Sequence, residues 1–370
     1  GGTDRGKVFI YLGEPGGIEA SPSTTLSGTI NNEAFGQSVT GGWDVNGDGY
    51  GDLVVGAPGY TGAHVGEGAA FLYLGGADGL ASSPAWNKTG GQAGAAFGST
   101  VAMVGDINGD ALADLAVSAP LYDGGETDEG RVQVWHGTVS GFGSAAAWSM
   151  EPDQAAAEFG TGLAPAGDVN GDGFWDLIIG TPKYDDGEFD EGLVSVYNGS
   201  ASGLAETPFF EGTIDQHDAW LGFAVAGSDV NGDGYDDVIA GAPRLDDSHY
   251  REGLIYAWLG GESGMHSRHL GWSPNQINAQ AGSSLAPLAD LNGDGYGDVG
   301  IGMPGYNSGN GRALLFKGSD SGLTSSSAMT VDGSGGSELG TVTALAGDVN
   351  GDGWLDLAIS KPRKDHGLGR

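Results

Sequence analysis

Six short apolar runs punctuate the chain, each following an acidic, glycine-rich stretch. They are Leu53-Val54-Val55, Leu115-Ala116-Val117, Leu177-Ile178-Ile179, Val238-Ile239-Ala240, Val299-Gly300-Ile301 and Leu357-Ala358-Ile359. Apolarity without alternation predicts strands buried on both faces. Each run ends in Gly-Ala-Pro or a variant of it, as in Gly56-Ala57-Pro58 and Gly241-Ala242-Pro243, and the proline stops the strand. A second set of runs is aliphatic and aromatic and closes on glycine: 6–13, 68–75, 130–137, 192–199, 253–260 and 311–318. Turns such as Ala77-Asp78-Gly79-Leu80, and the one at Glu14–Gly17, lead from these to a more polar strand, for instance near 85–90 or 146–150. Ahead of each acidic stretch lies a run of small residues, as at 37–42, 99–105 and 161–167. Pro165 and Pro287 fall in such runs; proline cannot donate to a ladder, so this strand is expected at a sheet edge.

The acidic stretch first reads Asp44-Val45-Asn46-Gly47-Asp48-Gly49-Tyr50-Gly51-Asp52, and its six copies start 62, 62, 61, 61 and 58 residues apart. Self-similarity at a fixed period sets the architecture. Four strands per period predict an all-β chain, a six-bladed β-propeller of four-stranded antiparallel blades. The blades are expected near 36–90, 98–150, 160–211, 222–271, 282–332 and 340–370 plus 6–30. The last blade is closed by N-terminal strands. Pro362 precedes Gly369 by the same seven residues that separate Pro304 from Gly311, so the chain stops where its aromatic strand is due. Lys7–Leu12 is the spare copy of that strand and is expected to pair with Leu357–Ile359.

Each copy offers oxygen at positions 1, 3, 5 and 9, with the carbonyl of position 7 as a fifth donor. The candidate metal residues are Asp44, Asn46, Asp48, Tyr50 and Asp52 in the first loop, and Asp106, Asn108, Asp110, Leu112 and Asp114 in the second. The third and fourth loops offer Asp168, Asn170, Asp172, Phe174 and Asp176, then Asp229, Asn231, Asp233, Tyr235 and Asp237. The last two offer Asp290, Asn292, Asp294, Tyr296 and Asp298, then Asp348, Asn350, Asp352, Trp354 and Asp356. A hard cation such as Ca²⁺ takes six to eight oxygens in loops of this kind. One copy alone would read as a plain Asp-Gly turn; six copies with the same ligand positions do not. An EF-hand is excluded, because position 12 lacks the bidentate Glu (it is Val117, Ile179 and Ile301 in three copies) and the flanks read as strands. Glycine holds position 6 except in the second loop, where Ala111 stands. If that position needs positive φ, the second loop is the weakest of six calcium sites, one per blade.

Composition narrows the partners. The formal net charge is −35, and the ligand positions of the six loops hold 18 of the 49 acids; six Ca²⁺ would leave −23. Such a surface repels nucleic acid and anionic membranes. Cysteine is absent, so metal rather than disulfides would staple the fold. No transmembrane run or signal peptide is read.

The pair Phe35-Gly36 stands nine residues before the first ligand and recurs as Phe97-Gly98 and Phe159-Gly160, then as Leu221-Gly222, Ala281-Gly282 and Leu339-Gly340. Phe-Gly, an acidic loop and Gly-Ala-Pro in this order resemble the FG-GAP repeat of integrin α subunits and their bacterial relatives, over nearly the whole chain. The resemblance implies Ca²⁺ in the loops between the first and second strands of each blade, with partners on the opposite face or at blade junctions. Integrin propellers have seven blades, whereas this chain repeats six times, and it contains no Arg-Gly-Asp.

The expected function is a calcium-stabilised extracellular or cell-surface binding and adhesion module, a monomeric propeller and not an enzyme. The loops after Gly-Ala-Pro (59–66, 121–129, 183–191, 244–252 and 305–310) would meet a protein or glycan. A lectin that stacks sugars on its nine Trp residues, or an accessory propeller of a larger secreted enzyme, is the alternative. The seven His share no repeat position, and Asp246, Asp247 and His249, though close in sequence, make no triad.

Overall fold

The computed structural model describes residues 4–14, 17–269 and 272–363. Among these the chain is all-β apart from one helical turn at Tyr306–Gly309. Five antiparallel sheets hold four strands each, in chain order across the sheet. The first is Ser38–Trp43, Asp52–Ala57, Ala69–Tyr73 and Trp86–Thr89; the second is Val101–Met103, Leu115–Ala119, Arg131–Trp135 and Trp148–Met150. The third is Gly162–Gly167, Asp176–Thr181, Leu193–Tyr197 and Phe210–Thr213. The fourth is Ala224–Ser228, Asp237–Ala242, Leu254–Leu259 and His266–His269; the fifth is Ser284–Pro287, Val299–Met303, Arg312–Phe316 and Met329–Asp332. These are the sheets of propeller blades. The strands bearing Pro165 and Pro287 lie at sheet edges, as their missing N–H requires.

Two compact units divide the chain. One is Gly1–Pro165 with Phe174–Leu177 and Tyr197–Pro208; the other is Ala166–Gly173 with Ile178–Val196 and Phe209–Arg370. In the first, Val54, Leu72, Phe97, Val117 and Trp135 belong to one buried cluster; in the second, Ile239, Ile255, Val299, Ile301 and Phe316 form another. Full burial of such a side chain contributes about 1.5–3 kcal/mol. The second strands of sheets two to five are buried along their whole length, as continuous apolarity demands.

The Phe-Gly pair joins one repeat to the next. Phe97 is bridged to Gly68, Phe159 to Gly130, Leu221 to Gly192 and Leu339 to Gly311, each time at the start of the preceding third strand. Gly98 shows why the second residue is glycine. Its φ is +84°, and a Cβ there would stand 2.3 Å from the Ala69 carbonyl oxygen.

The ends differ from expectation. Lys7–Ile10 pairs with Thr24–Ser27, and Thr343–Gly347 with Asp356–Ile359, as separate two-stranded sheets. Lys7–Ile10 takes one ladder from its own hairpin partner, the nearer strand in sequence, and among the described residues no ladder joins it to the expected partner, Leu357–Ile359. Among the described residues Asp356–Ile359 has no third strand beside it, and it stays half-buried, unlike the second strands of the other repeats. Of the turn expected at Glu14–Gly17, residues 15–16 lie outside the described residues, as do 364–370 of the sixth repeat. The first pair nonetheless imitates a third and fourth strand. Gly28 N–H donates to the Gly6 carbonyl as Gly90 does to Gly68, and Phe35 N–H to Arg5 as Phe97 does to Glu67.

Candidate functional site

All six acidic loops close around their first Asp. The N–H of position 4 donates to its Oδ1 at 2.7 Å in every copy, from Gly47 to Asp44, Gly109 to Asp106, Gly171 to Asp168, Gly232 to Asp229, Gly293 to Asp290 and Gly351 to Asp348. The N–H of position 6 donates to Oδ2 of the same Asp at 2.7–3.0 Å. The Asn at position 3 donates from Nδ2 to the Asp at position 5 in the first, second, third and fourth loops. In the fifth, Asn292 turns instead to Asp298.

Position 9 is the buried member. Asp52, Asp114, Asp176, Asp237 and Asp298 are at most 1% exposed. One oxygen accepts the N–H of the glycine that closes the third strand: Gly75, Gly137, Gly199, Gly260 and Gly318. The other accepts position 2 in the first, second, fourth and sixth loops, from Val45, Ile107, Val230 and Val349. Position 9 thus ties each loop to its sheet.

Among the described residues no three acidic or histidine side chains converge as a ready-made metal cluster, since the loop carboxylates are turned onto N–H groups. The donor set still fits calcium. It is all oxygen, and a carboxylate offers about four lone-pair sites, more than these N–H bonds occupy. Burial pushes the Asp114 carboxyl up to about 7, with the Asp110 and Asp106 carboxylates adding to the rise. Asp237 is likewise raised to about 7, by burial and then by Asp229 and Asp233. Like charges near a buried carboxylate disfavour its ionised form further.

Ala111 adopts the conformation its glycine siblings use, φ +69° against +86° to +90° in the others. Its N–H still reaches Asp106 Oδ2 at 2.7 Å. A Cβ in the left-handed region costs about 1–2 kcal/mol. Glycine returns part of that as unfolded-chain entropy, about 0.4–1 kcal/mol. Ala111→Gly is therefore expected to stabilise the chain by about 0.5–1 kcal/mol and to tighten this loop about fivefold in calcium titration calorimetry; an unchanged isotherm would refute the strain.

The loops after Gly-Ala-Pro carry a feature that sequence reasoning missed. Four end in Glu-Gly, and Glu67, Glu129, Glu191 and Glu252 are all at most 2% exposed. Each loop wraps its own glutamate. Glu67 Oε1 accepts N–H from Gly62 and His64, Glu129 Oε1 from Gly124, Gly125 and Glu126, Glu191 Oε1 from Asp186, and Glu252 Oε1 from Ser248 and His249. Glutamines clamp the loops from the preceding repeat. Gln92 exchanges two bonds with the Asp123 backbone (2.7 and 2.8 Å), Gln216 does so with Asp246 (2.7 and 2.6 Å), and Gln276 accepts from Asn307 (2.6 Å). The recurring Glu-Gly, and a Gln five residues before each Phe-Gly equivalent from Phe97 to Ala281, were the available signals.

Glu252 shows what the pin requires. Burial alone would raise its pKa, but the Ser273 hydroxyl, 2.6 Å from Oε2, and the His249 and Ser248 amides hold it below the ordinary value. In the second repeat the position of Ser273 is held by Glu151, and Glu129 Oε2 is buried with no hydrogen-bond partner. A Cβ on Gly124 would touch both carboxylates, 2.1 Å from Glu151 Oε2 and 2.3 Å from Glu129 Oε1. Burial raises the Glu151 pKa, Arg131 opposes, and Glu129 and Asp153 add to the rise. Glu151→Gln removes a like charge and supplies an N–H, so it is expected to stabilise by about 1 kcal/mol near neutral pH, with a smaller gain in acid where Glu151 is protonated. Melting curves at both pH values check this; a lower midpoint at neutral pH would contradict it.

Apart from Trp354, which is 55% exposed, the Trp residues are used in packing. Trp135, Trp148 and Trp258 are at most 5% exposed. Trp86 meets Trp135 edge-on at 5.5 Å, Trp43 meets Trp175 at 5.1 Å, and Trp272 meets Phe316 at 5.2 Å. Trp220 lies under the Arg244 guanidinium, 3.3 Å from the ring centre. Asp246 and His249 serve their loop: Asp246 Oδ1 accepts the Arg251 N–H, and His249 donates to Glu252. The side chain of His269, and His366, lie outside the described residues.

Strand order, the Phe-Gly bridge and the carboxylate-closed loop together define integrin-like propeller blades. The chain belongs to the FG-GAP repeat family, whose repeat matches residues 35–73, 97–135, 159–197, 221–258 and 339–370. It is similar to integrin alpha-5 of Xenopus laevis (31% identical), integrin alpha-V of Gallus gallus (35%) and integrin alpha-IIb of Homo sapiens (28%). These matches cover 57%, 60% and 74% of this chain but 21%, 21% and 27% of those proteins. The chain spans about a fifth to a quarter of their length. Among solved structures, exotype rhamnogalacturonan lyase YesX is similar at 15% identity and a TM-score of 0.44, over 86% of this chain and 52% of that one. That likeness is too low to bear on fold or chemistry. No helix among the described residues is long and apolar enough to cross a membrane.

Proposed function

We propose that this chain is a calcium-binding, calcium-stabilised adhesion propeller, working outside the cell or at its surface, that presents its Glu-pinned loops to a protein or glycan partner. The observation that carries the reading is the loop itself: six copies of one all-oxygen donor set, each closed by the same 2.7 Å bond from position 4 to position 1. Up to six Ca²⁺ would bind through the 30 residues named above. We read the array as six blades. The partner surface is the loop set. Val65, Phe189 and Tyr250 occupy the same place near the loop tips, two residues before the pinned Glu, and are 76%, 58% and 52% exposed. Apolar tips on a rigid scaffold are what a recognition surface needs.

The test is capture of a ligand from the protein's native surroundings, in calcium and in chelator. Replacing Phe189 and Tyr250 by Ala should weaken capture tenfold or more, since anchors of this type carry about 1–2 kcal/mol or more each, while the melting temperature holds. Capture that ignores both calcium and the two substitutions would reject the reading.

A further inference from the structure

The acidic loops touch one another in a fixed way. In the first unit the N–H of Ala113, position 8 of the second loop, donates to the carbonyl of Asp44, position 1 of the first loop, at 3.2 Å. Trp175 donates to the Asp106 carbonyl at 3.2 Å. In the second unit Asp236 donates to Asp168 at 3.1 Å, and Gly297 to Asp229 at 2.7 Å. Four times, then, the residue just before one loop's last carboxylate holds the backbone of the preceding loop's first.

A second contact follows the same direction. The side chain of position 7 packs on the position-4 glycine of the preceding loop. A Cβ on Gly47 would be 3.1 Å from Leu112, one on Gly109 2.8 Å from Phe174, one on Gly171 2.6 Å from Tyr235, and one on Gly232 2.9 Å from Tyr296. Position 7 also offers its carbonyl as a donor. One residue therefore buttresses the earlier loop with its side chain and serves its own with its backbone. The fourth loop adds a third link: Asp236 Oδ2 accepts the Asp168 N–H at 2.9 Å, where the other loops have Gly, Ala, Trp or Leu at position 8.

We infer that neighbouring loops bind calcium cooperatively, each occupied loop raising the affinity of the one beside it. The inference rests on the calcium reading above. A cation fixes positions 1 to 9 of its loop. It thereby fixes the carbonyl that the next loop's position 8 must meet, and the glycine on which that loop's position 7 must pack. Part of the ordering entropy of the second loop is then already spent when its own cation arrives. Coupling of this kind is reciprocal.

The position-6 amides are site-specific reporters, because each donates to its own loop's first carboxylate; Gly49 reads the first loop and Gly295 the fifth. Calcium is titrated into the intact chain and these amides are followed by two-dimensional NMR in the native chain, in Asp110→Ala and in Ala111→Gly. Among the described residues Asp110 bonds only within the second loop, to Asn108, Leu112 and Asp106. Asp110→Ala should move the Gly49 midpoint to higher calcium by about fivefold or more, the lower end of ordinary coupling, and leave Gly295 in place. Ala111→Gly keeps every ligand and should move Gly49 the other way, by about twofold. A Gly49 midpoint unmoved in both variants overturns the coupling while leaving the calcium reading intact. Amides that ignore calcium in the native chain overturn both.

Discussion

Calcium removal is expected to unfold this protein. A ligand that binds only the native state stabilises it by about 2.7 kcal/mol per site at a hundredfold excess over Kd, on the order of 16 kcal/mol for six sites. Total stabilities are about 5–15 kcal/mol, so half the sites, about 8 kcal/mol, would already match a typical stability. The structure supplies the destabilising counterpart. Asp114 and Asp237 are buried beside two further carboxylates each, and burial first, then those carboxylates, pushes both up to about 7. A chelator titration followed by circular dichroism should show a large fall in melting temperature. Magnesium should restore it poorly, since it demands near-octahedral geometry at shorter distances. A melting curve indifferent to excess chelator would falsify calcium as a structural ligand.

Deleting residues 1–13 is the second change with a large expected effect. It removes Lys7–Ile10 and leaves Thr24–Ser27 with its ladder open. It also strips Val8 and Ile10 from the cluster of Leu26, Phe35, Val55, Ala57 and Tyr73. Two partly buried aliphatic side chains contribute about 1.5–3 kcal/mol each at full burial, so several kcal/mol should be lost, along with the Arg5 and Gly6 carbonyls that receive Phe35 and Gly28. An exposed edge above an apolar cluster invites pairing with another chain. Size-exclusion chromatography should show aggregate. A monomer with an unchanged melting temperature would show that the N-terminal pair is dispensable.

The residues determined by themselves whatever depends on local period and backbone chemistry. The 58–62-residue repeat set the sheets, continuous apolarity marked the buried second strands, and Pro165 and Pro287 marked edge strands. Ala111 among five glycines foretold a positive φ, because backbone sterics are a local property. Tertiary structure alone decided the rest. Glu129 in sequence is one more acid in a loop rich in them, next to Glu126 and Asp128. Only the wrapping of three N–H groups around it makes it the buried one. Gln92 is an ordinary polar residue until the fold brings Asp123, 31 positions on, within 2.7 Å. The ends differ for a related reason: the pairing of Lys7–Ile10 and of Asp356–Ile359 within their own hairpins follows from short connections, whereas a pairing between the two must close a loop of nearly the whole chain. The contacts between acidic loops were equally illegible, since a period shows that loops recur but not that position 8 of one reaches position 1 of the last.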